Sequence, residues 1–281
     1  MRLRLGTRGS RLARAQAALA AAALTARYEG LAVEIVVVRT AGDGSDAPFA
    51  AADRGLFVKE LEQGLLRGEI DAGCHSAKDL TFSPPAELSL AAFLPRTEAR
   101  DALIGAPSLR PGLRVGTSSS RRRAQLLAVE PCLEIAALRG NVDTRLERLR
   151  SGAFDAIVLA AAGLEHLGRG AEIDTHLDPA VFVPEPGQGA IVLQTRVGEE
   201  ARVSEVDDAA TRLAVEAERE CGLLVGGGCT APVAAHHAGG ELSAMIAAPD
   251  GSWLVRASGQ DSRLVAAALL EQVPDGTAAA A

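Results

Sequence analysis

Hydrophobic and polar residues alternate along the chain in a pattern that predicts short strands separated by amphipathic helices. The β-branched run at 33–38 is typical of a buried strand. Strands predicted in this way lie at 3–5, 33–38, 70–74, 88–94, 114–116, 133–138, 156–160, 191–194, 233–235, 242–247 and 253–257. Predicted helices lie at 10–27, 56–66, 121–129, 142–150, 208–221 and 263–272. This alternation is the pattern of α/β layers.

Three interruptions of the pattern divide the chain into predicted domains. The polar segment 95–101 and the turn-rich segment 184–189 each indicate a crossing between α/β lobes, and the glycines at 226–228 precede a strand-rich region. We predict a first α/β lobe at 1–95 and 184–206, a second at 96–183, and a small α+β domain at 207–281.

The amino-acid composition and charge argue against some classes of function. The chain has 281 residues with 48% hydrophobic but only 3% aromatic side chains, so Ala, Leu and Val must fill the interior. Its net charge of −7 argues against general nucleic-acid binding. No apolar run approaches the roughly 18–20 residues of a membrane span. We therefore expect a cytoplasmic protein without nucleic-acid or membrane partners.

Four scattered cysteines include no closely spaced pair, so we predict neither a structural zinc site nor a disulfide scaffold. The adjacent His236 and His237 have no further ligands at metal spacing, and no metal site is predicted. Cys74 and Cys132 border apolar segments and are predicted core residues. Cys229 has glycines before it, which leave a thiol open to a bulky partner; the alternative is a small buried residue in a turn.

Four polar clusters follow predicted strands, where α/β folds place ligands. They are Thr-Arg-Gly-Ser at 7–10, His-Ser-Ala-Lys-Asp at 75–79, Gly-Thr-Ser-Ser-Ser-Arg-Arg-Arg at 116–123 and Leu-Arg-Gly-Asn-Val-Asp-Thr-Arg at 138–145. The third places hydroxyls, free backbone N–H groups and three arginines at a helix start. Those arginines oppose the helix dipole, which predicts an anionic ligand; the alternative is an exposed basic turn paired with surface acids. Dispersed arginines suit a ligand with several separate carboxylates.

Taken in this order, the clusters resemble the porphobilinogen deaminase (hydroxymethylbilane synthase) family. The matching stretches lie at 7–10, 55–61, 75–79, 116–122, 138–146, 162–164, 187–190 and 227–232. The resemblance implies two α/β lobes like those of periplasmic binding proteins, with a hinge, plus a small α+β C-terminal domain in a monomeric protein. It implies a transferase that deaminates four porphobilinogen molecules, joins them head to tail on a covalent dipyrromethane primer, and releases hydroxymethylbilane.

The resemblance also implies roles for individual residues. Cys229 would hold the dipyrromethane cofactor through a thioether, and Asp79 would be the catalytic residue. Binding of the cofactor carboxylates would fall to Lys78, Ser119, Arg121, Arg122 and Arg145. Binding of the incoming ring and the growing chain would fall to Arg8, Ser10, Thr117, Ser118, Arg139 and His166. The segment 40–54 would be a lid that includes Asp43, with Phe57 at its inner end.

Three positions depart from the family pattern. His166 stands where an arginine is usual, and Arg169 is a candidate to replace that charge. The lid has Ala51, Ala52 and Asp53 where relatives often carry lysines. Thr81-Phe82 follows the catalytic turn where a proline is common.

Two other interpretations remain open from the residues alone. One is a non-catalytic, two-lobed protein that binds a polycarboxylate, with the C-terminal domain as an effector module. That interpretation gives the glycine-flanked Cys229 no purpose. The other is a degenerate deaminase that binds a tetrapyrrole without turnover.

Overall fold

The computed structural model describes residues 1–38, 56–226, 232–248 and 250–274, with only the backbone at 56 and 57. The strands are β1 Arg2–Arg8, β2 Ala32–Val38, β3 Ala72–Ser76, β4 Leu88–Phe93, β5 Asp101–Ile104, β6 Arg114–Gly116, β7 Glu134–Ala136, β8 Ala156–Ala160, β9 Thr175–His176, β10 Ile191–Arg196, β11 Val233–Ala238, β12 Glu241–Ala247 and β13 Leu254–Gly259. The helices are α1 Arg11–Arg27, α2 Leu56–Leu66, α3 Ser120–Val129, α4 Val142–Arg150, α5 Ala161–His166, α6 Ala209–Leu224 and α7 Ser262–Gln272. Every predicted element is present, whereas β5, β9 and α5 were not predicted.

The chain divides into two compact units. The first comprises 1–97 and 190–213, and the second comprises 98–189 and 214–281. The chain first passes from the first unit to the second within the predicted crossing at 95–101. It returns to the first unit directly after the predicted segment 184–189. The division into three domains stays a prediction, because the C-terminal strands belong to the second unit.

The sheet of the first unit has the strand order β2-β1-β3-β10-β4. β1 pairs in parallel with β2 and β3, whereas β10 is antiparallel to both β3 and β4. β10 is the strand that directly follows the return of the chain to this unit. The other four strands come from the uninterrupted N-terminal segment.

The second unit repeats this arrangement in the sheet β7-β6-β8-β5-β9. β6 is parallel to β7 and β8, and the antiparallel strand at the fourth position is β5, which again directly follows a crossing. A separate antiparallel sheet, β11-β12-β13, packs against α7. The predicted fold class, two α/β lobes plus a smaller α+β region, is confirmed.

The interior is aliphatic, as the composition predicts. Ala17 and Ala20 on α1 are fully buried, so that helix packs closely on its sheet, together with Leu3 and Leu5 of β1. The buried aromatic residues among those described are Phe93, Phe154 and Phe182.

Cys74 is buried as predicted, but Cys132 is exposed, so its assignment to the core is wrong. It lies in the turn between α3 and β7, where its backbone N–H donates to Glu130. None of the helices within the described ranges is long and apolar enough to cross a membrane.

Candidate functional site

The site residues predicted from the sequence are distributed over both units. The first unit carries Arg8, Ser10, Lys78 and Asp79. The second carries Thr117, Ser118, Ser119, Arg121, Arg122, Arg139, Arg145 and His166. Asp43 and Cys229 lie outside the described residues, as does the side chain of Phe57.

In the second unit, three hydroxyls shape the turn between β6 and α3. Ser119 is the N-cap of α3, and its Oγ accepts a hydrogen bond from Arg122 N at 3.3 Å. Thr117 Oγ1 accepts from Ser119 N at 3.2 Å, and Ser118 Oγ donates to Leu138 O at 2.9 Å. These contacts fix the start of the helix that carries Arg121 and Arg122.

Both of these arginines point inward and hold one carboxylate. Arg121 Nη1 lies 2.8 Å from Oδ2 of Asp101, and Arg122 donates to Oδ1 of Asp101 from Nε at 3.0 Å and from Nη2 at 2.8 Å. Gln188 Nε2 also donates to Asp101 Oδ1, at 2.9 Å. Nη1 of Arg121 also donates to Val183 O and Nη1 of Arg122 to Val158 O, whereas Arg121 Nε is buried without a hydrogen-bond partner among the described residues.

Asp101 is only 1% exposed, yet it stays ionised. Burial alone would raise its pKa, but the charges and hydrogen bonds of Arg121 and Arg122 hold the pKa of this carboxyl well below its usual range. Asp101 was not among the predicted site residues. The signal that could have identified it is the need for a carboxylate near three arginines at a helix start.

Arg145 adds a further positive charge to this cluster. It lies on α4 and donates from Nε to Gly140 O at 2.8 Å. Burial, and then the charge of Arg122, lower the pKa of Arg145 to about 10. Among the described residues, no carboxylate lies within ion-pair distance of it.

The turn before α4 presents Arg139 on the surface. Gly140 has φ +105°, and a Cβ at this position would come within 2.8 Å of the Thr144 side chain. Only glycine meets both conditions without strain. The turn therefore leaves Arg139 exposed while α4 directs Arg145 inward.

Together these groups give the second unit a local excess of positive charge. Arg121 and Arg122 are buried against Asp101, the half-buried Arg145 is within reach of the charge of Arg122, and Glu185 is the other carboxylate whose charge acts on Arg121. Three cations against two carboxylates leave a net charge of +1. The arrangement favours an additional anionic group, as the sequence predicts, although the arginines are also held by Asp101.

In the first unit, two predicted residues follow β1. Arg8 is the last residue of that strand and is partly buried, and Ser10 is the N-cap of α1, with its Oγ accepting from Ala13 N at 3.2 Å. Thr7 Oγ1 donates to Ala13 O at 3.0 Å and closes the same turn. Because Ser10 Oγ acts as the acceptor in its cap, its hydroxyl proton can still be donated elsewhere.

The turn 77–79 carries Lys78 and Asp79 at the end of β3, next to the centre of the sheet. Ala77 N donates to Ala190 O at 2.9 Å, which fixes the turn to the start of β10. Asp79 is exposed and Lys78 is half-buried. A rigid turn that presents a carboxylate to solvent suits an acid, a base or an electrostatic group.

His75 lies on β3, two residues before this turn, and its side chain is buried. Burial lowers the pKa of His75 to about 4, with a smaller contribution from the charge of Arg8, so its ring is neutral at pH 7. The ring lies over Gly73, where a Cβ would come within 2.8 Å of Nε2. Sequence reasoning did not assign His75 a role; it lies on β3, the strand that leads into the turn carrying Asp79.

His166 ends α5 in the second unit. Burial lowers the pKa of His166, so the imidazole brings no positive charge at neutral pH. The candidate replacement, Arg169, is paired with Asp143 at 2.5 Å and with Glu172 at 2.5 Å. Arg169 therefore does not present an uncommitted guanidinium.

Comparison with known proteins identifies the same family that the sequence motifs resemble. Residues 3–204 match the family model described as "Porphobilinogen deaminase, dipyromethane cofactor binding domain". Similar proteins, each named porphobilinogen deaminase, include one from Syntrophobacter fumaroxidans, 45% identical with coverage of 91% of this chain and 87% of the relative. One from a Roseiflexus species is 43% identical, covering 96% and 95%, and one from Mycobacterium leprae is 44% identical, covering 92% and 88%. Among solved structures, the methionine binding protein MetQ is 15% identical with a TM-score of 0.45, covering 75% of this chain and 92% of that chain.

Proposed function

Because this chain belongs to the porphobilinogen deaminase family, we propose that it deaminates four porphobilinogen molecules and joins them head to tail on a covalent dipyrromethane primer, releasing hydroxymethylbilane. The family is one of transferases of tetrapyrrole biosynthesis with dipyrromethane as cofactor. The observation in this chain that carries the proposal is the excess of positive charge formed by the buried Arg121 and Arg122 and the half-buried Arg145.

The residues of the second unit fit the cofactor. Each ring of a dipyrromethane bears an acetate and a propionate, so the group brings four carboxylates. Arg145 is half-buried and has no carboxylate within ion-pair distance among the described residues, so a ligand carboxylate would offset both its desolvation and its repulsion by Arg122. When bound, the dipyrromethane supplies the free pyrrole α-carbon to which the first substrate ring is joined.

We assign the following roles to the residues of this chain. Cys229 would hold the cofactor through its sulfur. Lys78, Ser119, Arg121, Arg122 and Arg145 would bind carboxylates, the arginines as bidentate forks and Lys78 as a compact ammonium. For Arg121 and Arg122 this means sharing their N–H groups between Asp101 and the ligand.

Asp79 is the proposed catalytic residue. Each condensation breaks the bond between the aminomethyl carbon and the amine of porphobilinogen, releases ammonia, forms a carbon–carbon bond, and finally removes an α-proton. Positive charge develops on the pyrrole nitrogen as ammonia leaves. An exposed carboxylate on a rigid turn can stabilise that charge and then accept the α-proton at an Oδ atom.

The remaining residues would bind the incoming ring and the growing chain. We assign this binding to Arg8, Ser10, Thr117, Ser118, Arg139 and His166. The hydroxyl of Ser118 is committed to Leu138 O and that of Thr117 is buried, so these two would act mainly by shaping the backbone of the turn. Asp43, with the segment 40–54 and Phe57, stays a proposed lid. We further propose that the enzyme acts as a cytoplasmic monomer.

Intact mass spectrometry of the denatured protein tests the attachment. We expect the wild type to exceed its sequence mass by two porphobilinogen units less two ammonia molecules, because a thioether survives denaturation. The Cys229→Ser variant should show its unmodified mass, since a serine hydroxyl is far less nucleophilic than a thiolate. As the matched control, Cys132→Ser changes an exposed cysteine and should keep the adduct.

The same measurement separates the alternatives. An unmodified wild type that gains the adduct on incubation with porphobilinogen is an apoenzyme. A wild type that never gains it is the non-catalytic polycarboxylate-binding protein. A preparation that carries the adduct but releases no hydroxymethylbilane is the degenerate deaminase.

We expect His166→Arg to lower KM for porphobilinogen by a few fold, or leave it unchanged, with kcat retained. The neutral imidazole cannot form an ion pair with a carboxylate at pH 7, whereas a guanidinium contributes a charge-assisted hydrogen bond. Steady-state kinetics would measure the effect, with His237→Arg on β11 as the control substitution. A large loss of kcat/KM in His166→Arg alone would show that His166 has a function of its own.

A further inference from the structure

Three side chains that sequence reasoning did not connect meet in the second unit. Glu98 precedes β5, Glu165 lies in the last turn of α5, and His176 is in β9. One potential ligand atom from each lies within 4.8 Å of the others. The residues are far apart in the sequence and come together because β9 pairs with β5, where His176 lies opposite Ala102.

The imidazole of His176 supplies a second and independent observation. Its Nε2 is inaccessible to solvent and has no hydrogen-bond partner among the described residues. Buried polar atoms are almost always paired, so an unpaired imidazole nitrogen beside two carboxylates needs a ligand to explain it. Nitrogen in a neutral imidazole is also a common metal ligand.

The local charge favours a cation. Arg100 donates to both oxygens of Glu98, from its backbone N at 3.0 Å and from Nη2 at 2.5 Å, and the charges of Glu165 and Asp178 also act on Arg100. One guanidinium therefore faces three carboxylates. A divalent ion would balance the excess of negative charge.

We propose that Glu98, Glu165 and His176 form a binding site for a divalent transition-metal ion, with Zn²⁺ as the best match. One imidazole and two carboxylates are a three-ligand set that zinc accepts, with water in the fourth position. Zinc–ligand distances of about 2.0–2.2 Å bring tetrahedral ligands to roughly 3.4 Å apart. The three side chains would therefore have to close by about 1 Å. Each carboxylate needs to give only one oxygen; because both oxygens of Glu98 accept from Arg100, Glu98 would share one of them between Arg100 and the ion.

The bound ion would join the side chains of three segments: the start of the second unit, the end of α5 and β9. None of its three proposed ligands is among the residues proposed to bind the cofactor. It is a site of stabilisation or regulation by metal, and turnover does not depend on it.

Titration of the chelator-treated holoenzyme with Zn²⁺, followed by calorimetry, tests the site. We expect one ion per chain, with the affinity reduced at least tenfold in His176→Gln and in Glu165→Gln. His237→Gln makes the same substitution at a histidine outside the cluster and should bind as the wild type does. Glu165 is exposed, so Glu165→Gln decides the result if His176→Gln fails to fold.

Co²⁺ serves as the spectroscopic probe. Ligation by nitrogen and oxygen should give only weak visible bands. A thiolate-to-cobalt charge-transfer band would place the ion on a cysteine and overturn the proposal. Absence of stoichiometric binding, or equal affinity in wild type and both cluster variants, would overturn it as well.

Discussion

Asp79→Asn is expected to keep the fold and to lower kcat by at least about 100-fold, the scale on which positioned acid–base and electrostatic groups act. The amide has nearly the same shape as the carboxylate, and Asp79 is exposed on a turn whose backbone is fixed by the bond from Ala77 to Ala190. Stability should therefore change little. The substitution removes the negative charge and the basic oxygen that the proposed reaction needs. Steady-state assays of hydroxymethylbilane formation, with circular dichroism as the check on folding, measure this effect.

Glu87→Gln is the matched control for this experiment. Glu87 is an exposed carboxylate in the same unit, just before β4, and has no role in the proposed chemistry. Its loss should leave kcat unchanged. Near-wild-type activity in Asp79→Asn would refute the assignment of Asp79, whatever the outcome for the cofactor at Cys229.

Asp101→Asn is expected to have the largest effect on stability, lowering the free energy of unfolding by about 3–5 kcal/mol. The variant leaves Arg121 and Arg122 buried without their shared counter-charge, and both arginines are less than a tenth exposed. Urea denaturation of the wild type and the variant measures the difference. Glu34→Gln breaks an exposed ion pair with Arg2 and should cost no more than about 1 kcal/mol.

The same carboxylate predicts a dependence on pH. The pKa of Asp101 is lowered in the folded protein, so its contribution to stability is fully present above the unfolded value, about 3.9, and is lost as the pH falls below it. The stability difference between wild type and Asp101→Asn should therefore be constant from pH 7 to about pH 4 and shrink at lower pH. A difference that already shrinks between pH 7 and 5 would mean that another group controls it.

The sequence by itself determined the local structure and the residue types of the proposed site. Helix starts such as the one capped by Ser10 could be predicted because a cap bonds to an N–H only three residues away. The β-branched run of β2 and the polar turns after β1, β3 and β6 likewise need only short-range information. Because Lys78, Asp79 and the arginines of α3 follow directly on such strands, their assignment to a site could be made before any coordinates.

Only the tertiary structure decided which of these charges meet. Asp101 starts β5, which the sequence pattern does not predict because its first residue ends the polar crossing 95–101. Asp101 reaches Arg121 and Arg122 because β5 is inserted as the antiparallel strand beside β8. The same insertion brings β9 alongside β5 and His176 close to Glu98 and Glu165. Strand order depends on the summed burial of whole sheets rather than on local spacing. The fold therefore decides which residues far apart in the sequence come into contact. The buried counter-ion and the metal-site cluster are consequences of that order, whereas the exposed carboxylate of Asp79 follows from the residues immediately around it.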